Sequence, residues 1–220
     1  MKLIVANWKL HHTTDSARAF MHQTRDDLHQ AKNLEIIICP PFPLLPIVHS
    51  ERLYPKIKIG AQNISQFAEG AYTGEVGPHQ LNGLVEYVIV GHSERKKYFS
   101  ETMPQIWQKV NLAREYGIKP ILCFEKVEEL SVVDDPQDLI LAYEPTFAIG
   151  TGHPDTPANA IKIIQEARQL VKSNPPILYG GSVTATNVKD FTSHDEISGC
   201  LVGGASVEPE SFVDLVHAAN

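Results

Sequence analysis

Short apolar runs rich in isoleucine and valine alternate along the chain with longer segments that carry a helical period. This alternation predicts a parallel sheet, because parallel strands need long crossovers and helices usually supply them. Eight such strands can close into a barrel, and an open doubly wound sheet is the alternative. We predict an α/β fold, a single compact (β/α)8 barrel with residues 1–220 in one domain. The runs are Leu3–Ala6, Ile36–Cys39, Ile57–Ala61, Tyr87–Val90, Ile121–Phe124, Leu139–Tyr143, Ile177–Tyr179 and Cys200–Val202.

The connections between the runs carry further signals. Thr156 and Pro157 open a helical period, which predicts a helix over Thr156–Lys172 with a hydroxyl cap and a proline in its first turn. The fifth crossover is short, because only residues 125–137 separate the fifth and sixth runs. It has room for a turn or two of helix around Lys126–Leu130, and it accounts for most of the difference from the roughly 250 residues typical of such barrels.

The charge and the cysteine content of the chain indicate which binding partners and which cellular compartment to expect. The net charge is -7 and no basic run is present, which argues against nucleic acid or an anionic membrane as the partner. The cysteines Cys39, Cys123 and Cys200 lie within predicted strands, so buried reduced thiols and a cytoplasmic location are expected. The first apolar run, Leu3–Ala6, is too short for a signal peptide or a membrane span.

Polar residues follow several predicted strands where the strands end. Asn7 and Lys9 follow the first run, His92 and Glu94 the fourth, and Glu144 the sixth. The chemistry of a closed α/β barrel lies at the carboxyl ends of its strands, so these residues are expected to form one site. Each residue alone has a structural interpretation, and a carboxylate that ends an apolar strand must be either paired or used in chemistry.

Glycine pairs follow the last two runs, as Gly180-Gly181-Ser182 and Gly203-Gly204. Glycine lets the backbone approach an oxyanion closely, and the last two loops of such barrels often bind phosphate. The alternative is that each pair only makes a tight turn. Two pairs in these particular loops favour a phosphate site.

An apolar segment bracketed by proline and glycine follows Glu144, and such a segment can move as a lid. The alternative is an ordinary loop beside a buried, paired carboxylate. The histidines and cysteines have no metal-ligand spacing, so no metal is expected. The predicted lid comprises Pro145, Thr146, Phe147, Ala148, Ile149, Gly150, Thr151 and Gly152.

These motifs occur together, and in the same order, in one known family. The chain closely resembles the triosephosphate isomerases, which are TIM barrels, along nearly its whole length. The segments that carry the resemblance are Asn7-Trp8-Lys9, Val90-Gly91-His92-Ser93-Glu94-Arg95, Ala142-Tyr143-Glu144-Pro145, Ala148-Ile149-Gly150-Thr151-Gly152, Tyr179-Gly180-Gly181-Ser182-Val183 and Leu201-Val202-Gly203-Gly204-Ala205-Ser206.

The resemblance implies an isomerase of glycolysis and gluconeogenesis that interconverts D-glyceraldehyde 3-phosphate and dihydroxyacetone phosphate without a cofactor. It implies Glu144 as the base, His92 as a neutral electrophile, and Lys9 with Asn7 at the developing oxyanion, with Glu94 paired to the lysine. It also implies a phosphate held by the backbone in the glycine loops and the lid. The matching positions are Gly150, Gly181, Ser182, Gly203 and Gly204.

The sequence departs from the family in the lid and in the loop after the fifth run. Phe147 replaces the usual tryptophan, and Cys123-Phe124-Glu125-Lys126 replaces a Cys-x-Gly-Glu motif. In many relatives that indole donates to that glutamate, so we hypothesise that donor and acceptor are lost together and that the open lid is altered. Lys96 also replaces a usual arginine and puts that contact in doubt.

The resemblance further implies a homo-oligomer, with a dimer as the first expectation and a tetramer as the second. In such a dimer the loop Gln62–Pro78 enters the partner's site and brings Thr73 near Asn7 and His92. Two other functions remain as alternatives: a different phosphosugar reaction on the same fold, and a sugar-phosphate binder without activity. The joint presence of Glu144, His92 and Lys9 argues against both.

Overall fold

The strands close into a barrel. The computed structural model describes residues 1–52, 54, 56–148, 150 and 152–220. Within these ranges eight parallel strands pair in chain order, and β8 pairs with β1. The predicted closed barrel is therefore confirmed and the open sheet is wrong. The strands are β1 Lys2–Asn7, β2 Leu34–Cys39, β3 Ile57–Ala61, β4 Tyr87–Val90, β5 Lys119–Phe124, β6 Ile140–Tyr143, β7 Ile177–Tyr179 and β8 Gly199–Val202.

Several strands begin earlier than the apolar runs predicted. Polar residues at the amino end still pair in the ladder, as Lys2 does with Leu34 and Lys119 with Tyr87. β6 instead begins one residue later, since the Leu139 amide closes a turn on the carbonyl of Pro136 at 3.3 Å. Hydrogen bonding between neighbouring strands determines where each strand begins, and the hydrophobic pattern alone does not reveal that pairing.

Helices cover the outside of the barrel. Thr156 caps α6 as predicted: its hydroxyl accepts from the Asn159 amide at 3.2 Å, and Lys172 ends the helix in a left-handed conformation. The helices are α1 Thr14–Gln30, α2 Leu45–Glu51, α3 Pro78–Leu81, α4 Ser93–Phe99, α5 Met103–Glu115, α6 Pro157–Val171, α7 Val188–Thr192 and α8 Pro209–Ala219.

The fifth crossover contains a 3-10 helix, Val127–Val132, at the place predicted for a short helix. The predicted segment Lys126–Leu130 began one residue early and ended two residues early. A 3-10 helix rises further per residue than an α-helix, which suits a short connection between two strands. Arg114 supports the return of the chain by donating to the carbonyls of Asp135 and Gln137 at 2.8 and 2.6 Å.

The strands are apolar throughout because both of their faces are buried. Val5 points into the barrel interior, whereas its neighbours Ile4 and Ala6 pack against the surrounding helices. The cysteines Cys39, Cys123 and Cys200 are free and buried, as predicted. No helix in the described ranges is long and apolar enough to cross a membrane.

Candidate active site

A cavity of about 240 Å³ opens at the carboxyl end of the barrel. It gathers most of the predicted site residues from five different strand ends, as the barrel topology requires. Of those residues, Asn7, Lys9, His92, Glu144, Gly150, Gly152, Gly181, Ser182, Gly203 and Gly204 line the cavity. Its wall also includes Gly180, Val183, Thr184, Leu201 and Ala205.

Glu144 is held in a defined position directly after β6. Its backbone amide donates to the carbonyl of Phe124 at 2.8 Å, and only 1% of the residue is exposed. Oε2 accepts a hydrogen bond from the Ser93 amide at 2.7 Å. Oε1 lies 2.9 Å from Nε2 of His92 and accepts no well-aligned hydrogen bond from the residues that the structure describes. One carboxylate oxygen is therefore anchored and the other is available to take up a proton.

His92 follows β4 and immediately precedes α4. Its Nδ1 accepts a hydrogen bond from the Glu94 backbone amide at 3.3 Å. Because Nδ1 is the acceptor, the ring proton belongs on Nε2 and the imidazole is neutral. The Nε2 proton is then available to a ligand in the cavity that His92 lines.

Lys9 brings a positive charge into the cavity from the end of β1. Its Nζ lies 2.5 Å from Oε1 of Glu94, which supports the lysine without lining the cavity. Lys9 has a left-handed backbone conformation, with φ of 52°. The turn is braced on both sides, since the Lys9 amide donates to Asn7 Oδ1 at 3.1 Å and Gln62 donates to the Lys9 carbonyl at 3.0 Å.

Three glycines of the loops that follow β7 and β8 leave little room for a larger side chain. A Cβ at Gly181 would collide with the Tyr179 hydroxyl, and one at Gly180 would lie 3.1 Å from Cγ of Glu144. A Cβ at Gly203 would lie 3.2 Å from Cε of Lys9. Turn formation alone does not account for these contacts. The glycines bring the backbone against the residues that line the cavity.

The lid begins with a 3-10 turn over Thr146–Ala148. The predicted lid residues Ile149 and Thr151 lie outside the described residues. Ser182 joins the lid to the first glycine loop, because its hydroxyl donates to the Ala148 carbonyl at 2.7 Å. The lid therefore contacts the loop that follows β7.

The hypothesis that the open lid is altered stays a prediction, although a carboxylate other than the lost family glutamate lies beside the lid. Glu125 supplies a carboxylate beside the lid, and the hydroxyl of Thr146 donates to it. Phe147 is 65% exposed. Lys96 forms an ion pair with Glu129, with its Nζ 2.6 Å from Oε2.

Sequence reasoning missed Asp155, which lies between the lid and α6. It is buried and receives hydrogen bonds from Tyr143 and Asn159. An acidic residue just before a helix is common, so no sequence signal marks it. Among the described residues, no group of three or more histidine, cysteine, aspartate or glutamate residues could hold a metal ion.

The fold and the cavity define a class of protein. A carboxylate, a neutral imidazole and an ammonium group that meet at the mouth of a (β/α)8 barrel suit proton transfer beside a carbonyl. This is the chemistry of an aldose-ketose isomerase.

Comparison with known proteins identifies the family. The sequence model of the protein family described as "Triosephosphate isomerase" matches residues 2–219 of this chain. Curated proteins of that name include one from Dictyoglomus thermophilum, 40% identical over 246 residues, and one from Aquifex aeolicus, 39% identical over 244 residues. Each alignment covers 99% of this chain and 99% of the relative. The chain belongs to the triosephosphate isomerase family.

Proposed function

We propose that this protein interconverts D-glyceraldehyde 3-phosphate and dihydroxyacetone phosphate with Glu144 as the base, as a step of glycolysis and gluconeogenesis. The observation that carries the proposal is the buried Glu144 carboxylate, with one oxygen 2.9 Å from His92 Nε2. A carbon acid beside a carbonyl is very weak, so its ionisation needs a base held close and donors aimed at the oxygen. The site supplies both.

The reaction begins when Glu144 takes a proton from the carbon next to the carbonyl. The electron pair of that C–H bond forms the enediolate double bond, and negative charge develops on the carbonyl oxygen. His92 donates from Nε2 to this oxygen, and the Lys9 ammonium with the Asn7 amide stabilises the charge. The proton of the hydroxyl on the deprotonated carbon then moves to this oxygen through His92, so that the deprotonated carbon becomes the new carbonyl carbon. The proton held by Glu144 is delivered to the carbon that carried the first carbonyl. The sum is an isomerisation that needs no cofactor.

The substrate phosphate binds to backbone N–H groups in the glycine loops. Gly181 and Ser182 follow β7, Gly203 and Gly204 follow β8, and Gly150 comes from the lid. All five line the same cavity as Lys9. The chain has a net negative charge, so this local arrangement is what attracts the anion. Closure of the lid over the phosphate excludes water and strengthens these interactions.

The test is an assay that couples formation of dihydroxyacetone phosphate from D-glyceraldehyde 3-phosphate to a recorded signal. Parent, Glu144→Gln and the surface control Glu166→Gln are compared, since Glu166 is a partly exposed residue of α6. Loss of the base is expected to reduce kcat by about a hundredfold to ten-thousandfold, and the control is expected to match the parent. A folded parent that binds inorganic phosphate without isomerising the substrate would instead be a non-catalytic binder.

We also propose that the chain forms a homo-oligomer, with a dimer preferred to a tetramer. The loop Gln62–Pro78 would insert into the partner and bring Thr73 near Asn7 and His92. In support, three large apolar side chains are exposed: Leu10 beside Lys9, Tyr72 in the loop and Phe99 at the end of α4. Light scattering tests the oligomeric state, and an active monomer would contradict the proposal.

We further propose that residues 1–220 form a single domain that unfolds cooperatively. We also propose that the protein is located in the cytoplasm. The first and last strands of the chain belong to the same closed barrel, which supports a single domain. The free buried thiols are consistent with a reducing compartment. A single calorimetric transition and cell fractionation test the two statements separately.

A further inference from the structure

Asp155 is a buried carboxylate that the proposed reaction does not use. It lies between the lid and α6, with 8% of its surface exposed. Oδ2 accepts from the Tyr143 hydroxyl at 3.3 Å and from the side-chain amide of Asn159 at 2.7 Å. Oδ1 accepts from the Thr156 amide at 2.7 Å. A buried carboxylate is stable only with such partners, so Asp155 is held in one position.

Helix capping does not account for all of these contacts. The hydroxyl of Thr156 already caps α6 by accepting from the Asn159 amide. Oδ2 of Asp155 instead accepts from Tyr143, whose ring packs in the layer between the strands and the helices. That tyrosine ends β6 and immediately precedes Glu144. The segment between the lid and α6 is therefore connected directly to the end of β6, next to the proposed base.

A second connection runs to the loop that follows β7. The backbone amide of Asp155 donates to the Tyr179 hydroxyl at 2.8 Å, and the Tyr179 ring stacks on Phe191 with centroids 3.9 Å apart. The same hydroxyl lies directly against Gly181, where a Cβ would collide with it. Burial raises the pKa of Tyr179 to about 12, so the hydroxyl stays protonated at neutral pH.

We propose that Asp155 is a positioning residue that keeps the end of the lid aligned with the base and with the phosphate-binding loop. This inference rests on the proposed function. A lid that closes out of alignment leaves the enediolate exposed to water. The enediolate can then break its C–O bond to phosphate. The electron pair leaves with the phosphate, and the carbon fragment becomes the enol of a 2-oxo aldehyde.

Asp155→Asn tests the role, because it keeps the shape but replaces an accepting oxygen with a donating amide. The measurements are kcat, KM and the inorganic phosphate released per isomerisation. We expect kcat to fall about tenfold and the released phosphate per isomerisation to rise several-fold. A change in folded fraction alone would not alter that ratio. Asp135→Asn is the matched control, since Asp135 accepts from the Gln137 amide at 2.9 Å in the fifth crossover, and it should keep the parent ratio.

Tyr143→Phe is the second variant, because it removes one donor and leaves the carboxylate in place. Like Asp155→Asn, it should raise the amount of inorganic phosphate released per isomerisation. It also tests the proposal if Asp155→Asn does not fold. A parent that does not isomerise the substrate contradicts the proposed function. Parent activity with an unchanged ratio in the folded variants overturns only the role of Asp155.

Discussion

Nε2 of His92 lies 2.9 Å from Oε1 of Glu144, so the proposed electrophile and the proposed base are in direct contact. The Ser93 amide holds the other carboxylate oxygen at 2.7 Å. The carbon that loses its proton and the carbonyl oxygen must come between these two groups. Substrate binding is therefore expected to displace the carboxylate from Ser93, and its reach then depends on the length of the side chain.

Glu144→Asp is expected to lower kcat by about a hundredfold with little change in KM. The shorter side chain withdraws the carboxylate by roughly 1 Å, and proton transfer is sensitive to such a displacement. Steady-state kinetics of the purified variant measure this, with Glu166→Asp as the control for the same chemical change on α6. A kcat equal to that of the parent would show that Glu144 is not the base.

Gly181→Ala is expected to destabilise the fold by about 1–3 kcal/mol and to raise KM. The added Cβ would collide with the Tyr179 hydroxyl and displace the first glycine loop. Urea unfolding measures the stability. Gly204→Ala is the comparison for stability, because nothing lies within 4 Å of a Cβ there. Equal losses of stability in the two variants would contradict the predicted collision.

Thr146→Val is expected to change the rate at which the lid opens. The valine keeps the shape of threonine but cannot donate to Glu125, and a lost hydrogen bond of about 1 kcal/mol shifts an equilibrium about fivefold. Relaxation dispersion of the Gly150 and Gly152 amides measures the rate. Phe147→Trp adds an indole donor beside the same carboxylate and is expected to change the rate as well. Identical rates in the parent and both variants would exclude Glu125 as a lid contact.

The stability of the protein is expected to fall as the pH rises above about 9. Burial raises the pKa of the Cys200 thiol to about 12 from the ordinary value of 9.0. The folded thiol then keeps its proton, while the unfolded thiol loses it between these two values. Each such group costs up to about 1.4 kcal/mol per pH unit in this window. The stabilising effect is complete below about pH 9.

Unfolding free energies at pH 7.5, 9 and 10.5 measure this dependence. Cys200→Ala is the informative variant, because it should show a smaller decrease above pH 9 than the parent. The pKa of the Cys39 and Cys123 thiols is also raised by burial, so part of the decrease should remain. An identical slope in parent and variant would contradict the assignment to Cys200.

The sequence by itself determined the number and order of the strands and most of the site residues. Strands buried on both faces must be apolar throughout, so the runs are visible without any tertiary information. Glu144 stands directly after such a run, and Lys9 and His92 follow theirs within three residues. The barrel topology brings the carboxyl ends of all strands together, and local position along the chain was therefore enough to predict that these residues meet.

Only the tertiary structure decided the contacts between side chains that are far apart in the sequence. The bonds from Thr146 to Glu125 and from the Asp155 amide to Tyr179 join residues on different strands and loops. Each pair depends on the relative placement of two barrel elements, and no local period or motif predicts which residue is the partner of which. Closure of the sheet was likewise a tertiary result, because the same strand pattern suits an open sheet until β8 pairs with β1.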